Sequence, residues 1–155
     1  MPKPLSNANN WQRGGFNYAY YEGTWDQWPD ITKLTPVKTG ITDSSFDTDK
    51  LPRKNHYALV IDGLLETNEE GYYIFGLNAD KGSKLYIDHL LVATCDGEFP
   101  RAIIVPLSKG FYPFRVEYLH QDEAYSLDWQ QYLTPGILES QNYILIPANL
   151  QYNKR

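Results

Sequence analysis

Short runs of aromatic and β-branched residues recur along this chain, broken by Gly, Asp, Asn and Pro at intervals of roughly ten residues. No stretch sustains the 3.6-residue period of an amphipathic helix. Thirteen tyrosines, six phenylalanines and four tryptophans concentrate in those runs, and such side chains pack well on a pleated, half-buried surface. The expected fold class is therefore all-β, an antiparallel β-sandwich. The expected strands are residues 16–21, 57–65, 72–77, 83–88, 90–94, 101–107, 111–119, 126–132 and 143–146. Glu69-Glu70-Gly71, Asp80-Lys81-Gly82, Asp88-His89, Ser108-Lys109-Gly110 and Pro135-Gly136 supply the turns between them, because Gly accepts positive φ freely and Asp or His tolerate it better than branched residues.

Alternation sorts the strands into faces. Tyr73, Phe75 and Leu77 point one way, as do Leu85 and Ile87 in the next strand. Phe114, Val116 and Tyr118 alternate with Pro113, Arg115 and Glu117, a pattern with one dry face and one face of ordinary surface. The expected core contains Phe75, Leu85, Ile87, Val116 and Trp129. Residues 22–55 differ: rich in Pro, Asp, Thr and Ser, they show no sustained alternation, and only 30–34 has the pattern of a helical turn, with Asp30 as its cap. We read that segment as one long loop, ordered over the sandwich by Trp25, Trp28, Leu34 and Phe46.

The balance of 14 Lys and Arg against 19 Asp and Glu leaves a formal charge of −5, which argues against a nucleic-acid partner because phosphate backbones require a cationic face. The apolar stretches, such as 57–61 and 90–93, are far too short to insert in a membrane. The single Cys95 forms no internal disulfide and leaves the compartment open. The amino-terminal residues lack the basic stretch and apolar core of a secretory signal.

Catalytic chemistry finds no foothold. His56, His89 and His120 stand alone in turn or strand-end contexts, read as surface, with neither a nucleophile motif nor zinc-ligand spacing around them. Glu22, Asp62, Glu66, Glu117 and Asp128 give no sign of a paired acid and base, and Gly14-Gly15 precedes a strand rather than opening a phosphate-binding helix. One local geometry carries more. A hairpin turning at Asp88-His89 brings Lys81 opposite Asp96 and gathers Asn78, Asp80, Lys81, Asp96 and Glu98 at one end of the sheet. Such an oxygen-rich mouth suits Ca²⁺ or sugar hydroxyls, and polar turns with one surface ion pair account for the same residues.

The segment Asn17-Tyr18-Ala19-Tyr20-Tyr21-Glu22-Gly23-Thr24-Trp25, then Trp28-Pro29-Asp30, Leu34-Thr35-Pro36-Val37-Lys38-Thr39-Gly40 and Gly82-Ser83-Lys84-Leu85-Tyr86-Ile87-Asp88, resembles the PA fourteen domain family, named after toxin protective antigen. Further matches run through Glu70-Gly71-Tyr72-Tyr73-Ile74-Phe75, Gly110-Phe111-Tyr112-Pro113, Arg115-Val116-Glu117-Tyr118, Pro135-Gly136-Ile137 and Ile146-Pro147-Ala148. The resemblance is to copies appended to bacterial extracytoplasmic glycoside hydrolases, including β-N-acetylhexosaminidases. It implies a jelly-roll-like sandwich over residues 14–150, with 1–13 an N-terminal extension or vector-derived remnant and 151–155 a tail. It also implies a noncatalytic carbohydrate-binding module of an exported protein, periplasmic, cell-surface or secreted, with the catalytic domain of a parent protein as its other partner. The alternative is a structural accessory domain that packs on that neighbour and binds no sugar. In sugar-binding members two successive Asp residues before the Gly-Ser-Lys-Leu-Tyr-Ile-Asp strand hold a Ca²⁺ that bridges to the sugar. Here Asp80 matches the first and Lys81 replaces the second, while Asp96-Gly97 persists in the returning loop. The resemblance thus implies a degenerate calcium site at Asp80, with no metal and no cofactor.

Overall fold

The structure is a computed structural model that describes residues 2–25, 27–42, 51–53, 55–77, 82–95, 101–121 and 150–154. These form ten strands and one turn of 3-10 helix: β1 (Trp11–Arg13), β2 (Asn17–Glu22), η1 (Ile31–Lys33), β3 (Lys38–Ile41), β4 (Tyr57–Thr67), β5 (Gly71–Leu77), β6 (Gly82–Ile87), β7 (Leu90–Cys95), β8 (Arg101–Leu107), β9 (Gly110–His120) and β10 (Gln151–Lys154). Every pairing is antiparallel, in one sheet of eight strands and a second of two, β5 and β8. The expected sandwich is what the chain forms.

The large sheet is organised around β4. Along one edge β4 pairs with β9 from Tyr57↔His120 to Thr67↔Gly110, and β9 passes the sheet on to β6 and β7. Its other edge is shared: β2 pairs with Tyr57 to Asp62, and β10 with Leu64 and Leu65. Gly63 sits where one partner gives way to the other, and a Cβ there would collide with the Tyr152 carbonyl, so only glycine lets the last strand approach so closely.

Alternation then decides what each face does. Ile61, Leu65, Leu85, Ile87, Tyr112, Phe114 and Val116 of the large sheet meet Tyr73, Phe75, Val105 and Leu107 of the small one, and together with Phe16 they make the main core. Phe75, Leu85, Ile87 and Val116 are fully buried, as expected; Trp129 lies outside the described residues. The phenyl rings of Phe16 and Phe114 stack at 4.9 Å between centroids. A second cluster extends this layer with Tyr20, Leu51, Tyr57, Leu59 and Tyr118.

Three readings of the sequence need correction. The described parts of 1–13 and 151–155 are not appendages to the sheet: β1 pairs with β10 and Leu5 bridges to Phe111. These strands escaped notice because a three-residue edge strand and the polar run Gln-Tyr-Asn-Lys carry too little alternation to register. Polar groups nonetheless fasten them, since Thr42 Oγ1 accepts from the Phe16 amide and donates to Gln151 Oε1, while Asn153 Nδ2 donates to the Gly15 carbonyl. Secondly, the segment 22–55 is not free of strands, because β3 within it pairs with β2 from Asn17↔Ile41 to Tyr20↔Lys38. Two other described features of the segment are as expected. Asp30 caps η1 by accepting from the Thr32 amide, and Trp25, Trp28 and Leu34 pack with Ile31 against Ala58 and Val60 on the outer face of β4. Phe46 lies outside the described residues. Thirdly, His120 is buried rather than on the surface, its ring stacked on Tyr118 and its Nδ1 3.0 Å from the Tyr118 hydroxyl.

Candidate functional site

The residues expected to form an oxygen-rich mouth fall in the two chain segments that join β5 to β6 and β7 to β8. Leu77 pairs with Arg101 at the end of the small sheet, and Ser83 with Cys95 at the end of the large one. The segments 78–81 and 96–100 are bounded by these strand ends. Asn78, Asp80, Lys81, Asp96 and Glu98 themselves lie outside the described residues. The hairpin turns as expected at Asp88 and His89, whose φ of 53° and 63° are the paired left-handed values of a type I′ turn. Its register is not quite the expected one. Ile87 faces Leu90 and Tyr86 faces Leu91, but a bulge then shifts the pairing, so Leu85 faces Ala93 and Ser83 faces Cys95 rather than Thr94. The register from which Lys81 was set opposite Asp96 is thus displaced by one residue at the last described pair.

A second concentration of polar groups was not anticipated. The register places Asn17 beside Asp62, Asp62 beside Arg115 and Arg115 beside Tyr86, one row across β2, β4, β9 and β6 on the face turned away from the small sheet. Arg115 Nε donates to Glu117 Oε2 at 2.9 Å, and Nη1 lies 3.6 Å from Asp62 Oδ2. The face read as ordinary surface is in fact recessed: the Glu117 side chain is only 15% exposed. Next to it Lys84, the cross-strand neighbour of Glu117, holds its ammonium 4.3 Å above the Trp28 ring, a favourable cation–π geometry.

Two concavities adjoin the row. One, of about 660 Å³, is bordered by Trp11, Tyr86, His89 and Lys154; the other, of about 510 Å³, by Tyr21, Ile31, Thr39 and Ile41; Asn17, Asp62 and Arg115 line both. Burial holds the Asp62 carboxyl above the usual carboxylate range, with the Arg115 guanidinium opposing. Burial likewise raises the Tyr86 phenol, helped by Glu117 and opposed by Arg115. Among the remaining histidines, His56 Nδ1 is 3.1 Å from Thr24 Oγ1, and His89 is exposed in the hairpin turn. Among the described residues no three His, Cys, Asp or Glu converge as a metal site would require, and no helix is long and apolar enough to cross a membrane.

The sequence matches the family model of the PA14 domain over residues 12–136. A search among curated proteins found no match. Among solved structures, the chain superposes on the epithelial adhesin 9 A domain from Candida glabrata, crystallised in complex with Galβ1-3GlcNAc, with a TM-score of 0.75 at 14% identity, covering 99% of this chain and 95% of the adhesin domain. An anti-sigma factor domain-containing protein from Clostridium clariflavum follows with a TM-score of 0.66 at 15% identity, covering 99% of this chain and 52% of the other. A β-glucosidase from Kluyveromyces marxianus matches with a TM-score of 0.50 at 22% identity, over 67% of this chain but 12% of the enzyme. At these identities the likeness is one of fold.

Proposed function

Since this chain belongs to the PA14 domain family, we propose that it is a noncatalytic carbohydrate-binding module, working as part of an exported bacterial glycan-degrading or cell-surface protein. The observation that carries the reading is the near-complete superposition on an adhesin domain whose crystals hold Galβ1-3GlcNAc. The site of this reading is Asn78, Asp80, Lys81, Asp96 and Glu98, in the segments that run between Leu77 and Gly82 and between Cys95 and Arg101. With Lys81 in place of a second carboxylate, the donor set there does not suit Ca²⁺, which wants six to eight oxygens and anionic charge. Sugar recognition in this chain then relies on direct hydrogen bonds and aromatic contacts. Export places the module outside the cytoplasm.

A glycan array probed with the intact chain tests the proposal. Binding to a defined set of glycans is expected, and silence across the array counts against it. A second reading, an accessory domain that packs against a glycoside hydrolase catalytic domain, draws on the exposed Tyr72 and Ile104 on the outer face of the small sheet. That role predicts a thermal midpoint of the parent enzyme that falls when the domain is deleted, without any retention of the chain on glycan resin.

A further inference from the structure

We propose that the outer face of the large sheet is a second saccharide-binding groove, separate from the strand-end mouth, in which the row Asn17, Asp62, Arg115 and Tyr86 grips the hydroxyls of two consecutive neutral sugar residues, one on either side of the row. It rests on the reading of the domain as a saccharide binder and adds to it a place and a ligand length.

Asn17 Oδ1 accepts from the Lys154 amide, while Asp62, Arg115 and Tyr86 each keep polar atoms that make no hydrogen bond among the described residues. Of the five N–H donors of Arg115, only Nε makes a hydrogen bond among the described residues, and Nη1 stops 3.6 Å short of Asp62. Among the described residues the Asp62 carboxylate accepts no hydrogen bond, and the Tyr86 hydroxyl makes none. A pair serving stability alone would gain by closing to the roughly 2.7–2.9 Å of a charge-assisted bond. Held open, the guanidinium and the carboxylate offer a donor and an acceptor side by side. A sugar hydroxyl both donates and accepts, so a vicinal diol satisfies the two together.

Charge narrows the ligand class. Among the residues lining the groove Asp62 and Glu117 are balanced by Arg115 and Lys154, and Lys84 beside them is held over the Trp28 ring, so the lining carries no net charge to select a phosphate, a polyanion or a polycation. What remains is aromatic and apolar surface set around polar groups. Trp11 and Tyr86 border one concavity and Tyr21 and Ile41 the other, and aromatic faces beside hydrogen-bonding groups suit the apolar C–H faces of a pyranose. Both volumes, about 660 and 510 Å³, fall within the roughly 300–1,000 Å³ usual for small-ligand clefts. Because Asn17, Asp62 and Arg115 line both, the row forms the ridge between two subsites rather than the wall of one.

The test is a ¹H–¹⁵N titration of the full chain with lactose, cellobiose and N,N′-diacetylchitobiose, and with cellotetraose and chitotetraose. At least one sugar should shift the amides of Asn17, Asp62, Tyr86 and Arg115, and a tetrasaccharide should gain little over its disaccharide, which already fills both subsites. Tyr86→Phe removes a hydroxyl that no other described group bonds, so it should weaken binding about fivefold or more while leaving the thermal midpoint unchanged. Arg115→Lys should weaken binding as well, at some cost to the thermal midpoint because Nε no longer reaches Glu117, and Asp80→Ala should leave the groove's shifts intact. Shifts confined to residues flanking 78–81 and 96–100, with Tyr86→Phe neutral, overturn the groove while leaving saccharide binding standing. No shift at the row with any of these sugars overturns it as well, and a silent glycan array then removes the wider reading too.

Discussion

The phenol of Tyr152 donates to Glu66 Oε1 at 2.7 Å, joining the last strand of the chain to the central one. Arg13 completes the arrangement, its guanidinium 3.4 Å from the same carboxylate and 5.2 Å from the Tyr152 ring centroid. Three strands that are distant in sequence, β1, β4 and β10, thus share one carboxylate. Burial first, then this hydrogen bond, pushes the Tyr152 phenol up to about 12, and the same order of causes, with Glu22 as acceptor, does so for Tyr20.

A phenol whose folded value lies above its unfolded value near 10 favours the fold while protonated. That contribution is fully present below pH 10 and is lost as pH rises through about 12. Tyr152→Phe keeps the ring and loses the bond, so it should cost about 1–2 kcal/mol at pH 7, and the difference from wild type should shrink as pH rises from 10 to 12. Urea midpoints across that range measure both. A pH-independent difference would mean that the bond to Glu66 does not govern the titration.

Phe75 has no exposed surface, and its ring sits 6.1 Å from that of Phe114 across the two sheets. Phe75→Ala should therefore cost about 3–5 kcal/mol, the transfer loss plus the cavity left between sheets that cannot close around it. Ile104, 47% exposed on the opposite side of the same two-stranded sheet, provides the contrast: Ile104→Ala should stay within about 0.5 kcal/mol. Chemical denaturation reads both, and equal losses would contradict the assignment of faces.

That contrast also shows what a sequence of this kind discloses. Phe75, Leu85, Ile87 and Val116 were legible as core because strand alternation has a period of two and depends on nothing outside the strand. The turn at Asp88-His89 and the Asp30 cap were legible because their chemistry is local. The row through Asp62 and Arg115 was not. Alternation places Arg115 and Glu117 on one face, but which carboxylate faces them depends on the pairing of β4 with β9, set by the whole core packing at once. The one-residue bulge in β6 and β7 escaped for a related reason, since an extra residue in a ladder leaves no mark on composition. For the strand-end residues the signal came from turn spacing and family likeness alone.

Calcium provides a test of those strand-end residues. Exchanging a carboxylate for the Lys81 ammonium changes the local charge by two units, and a unit charge about 4 Å from a divalent ion is worth on the order of 8 kcal/mol of repulsion at an effective dielectric near 20, before screening. Isothermal calorimetry of the wild-type chain should show no binding at micromolar Ca²⁺, and chelator should not lower its thermal midpoint. Lys81→Asp should move the protein toward binding. Micromolar affinity in the wild type would show that other oxygens compensate.

Asp62 carries the remaining expectation, because the carboxylate that helps to form the groove does so at some cost to the fold. Burial raises its carboxyl above 3.8, more than the Arg115 guanidinium lowers it. The neutral form is therefore favoured on folding. Its contribution is fully present below the unfolded value and is lost as pH rises through the folded one, so ionised Asp62 weakens the fold at neutral pH. Asp62→Asn imitates the neutral form. Arg115 keeps its partner in that variant, since Nε remains on Glu117. With the Asp62 side chain 49% exposed, solvent screens the effect and the gain should stay under about 1 kcal/mol. Urea midpoints at pH 3.5 and pH 7 should show the variant equal to wild type in acid and slightly more stable at neutrality. A variant that instead loses stability at pH 7 would establish Asp62 as a net stabilising partner of Arg115, and the row would then be a structural ion pair.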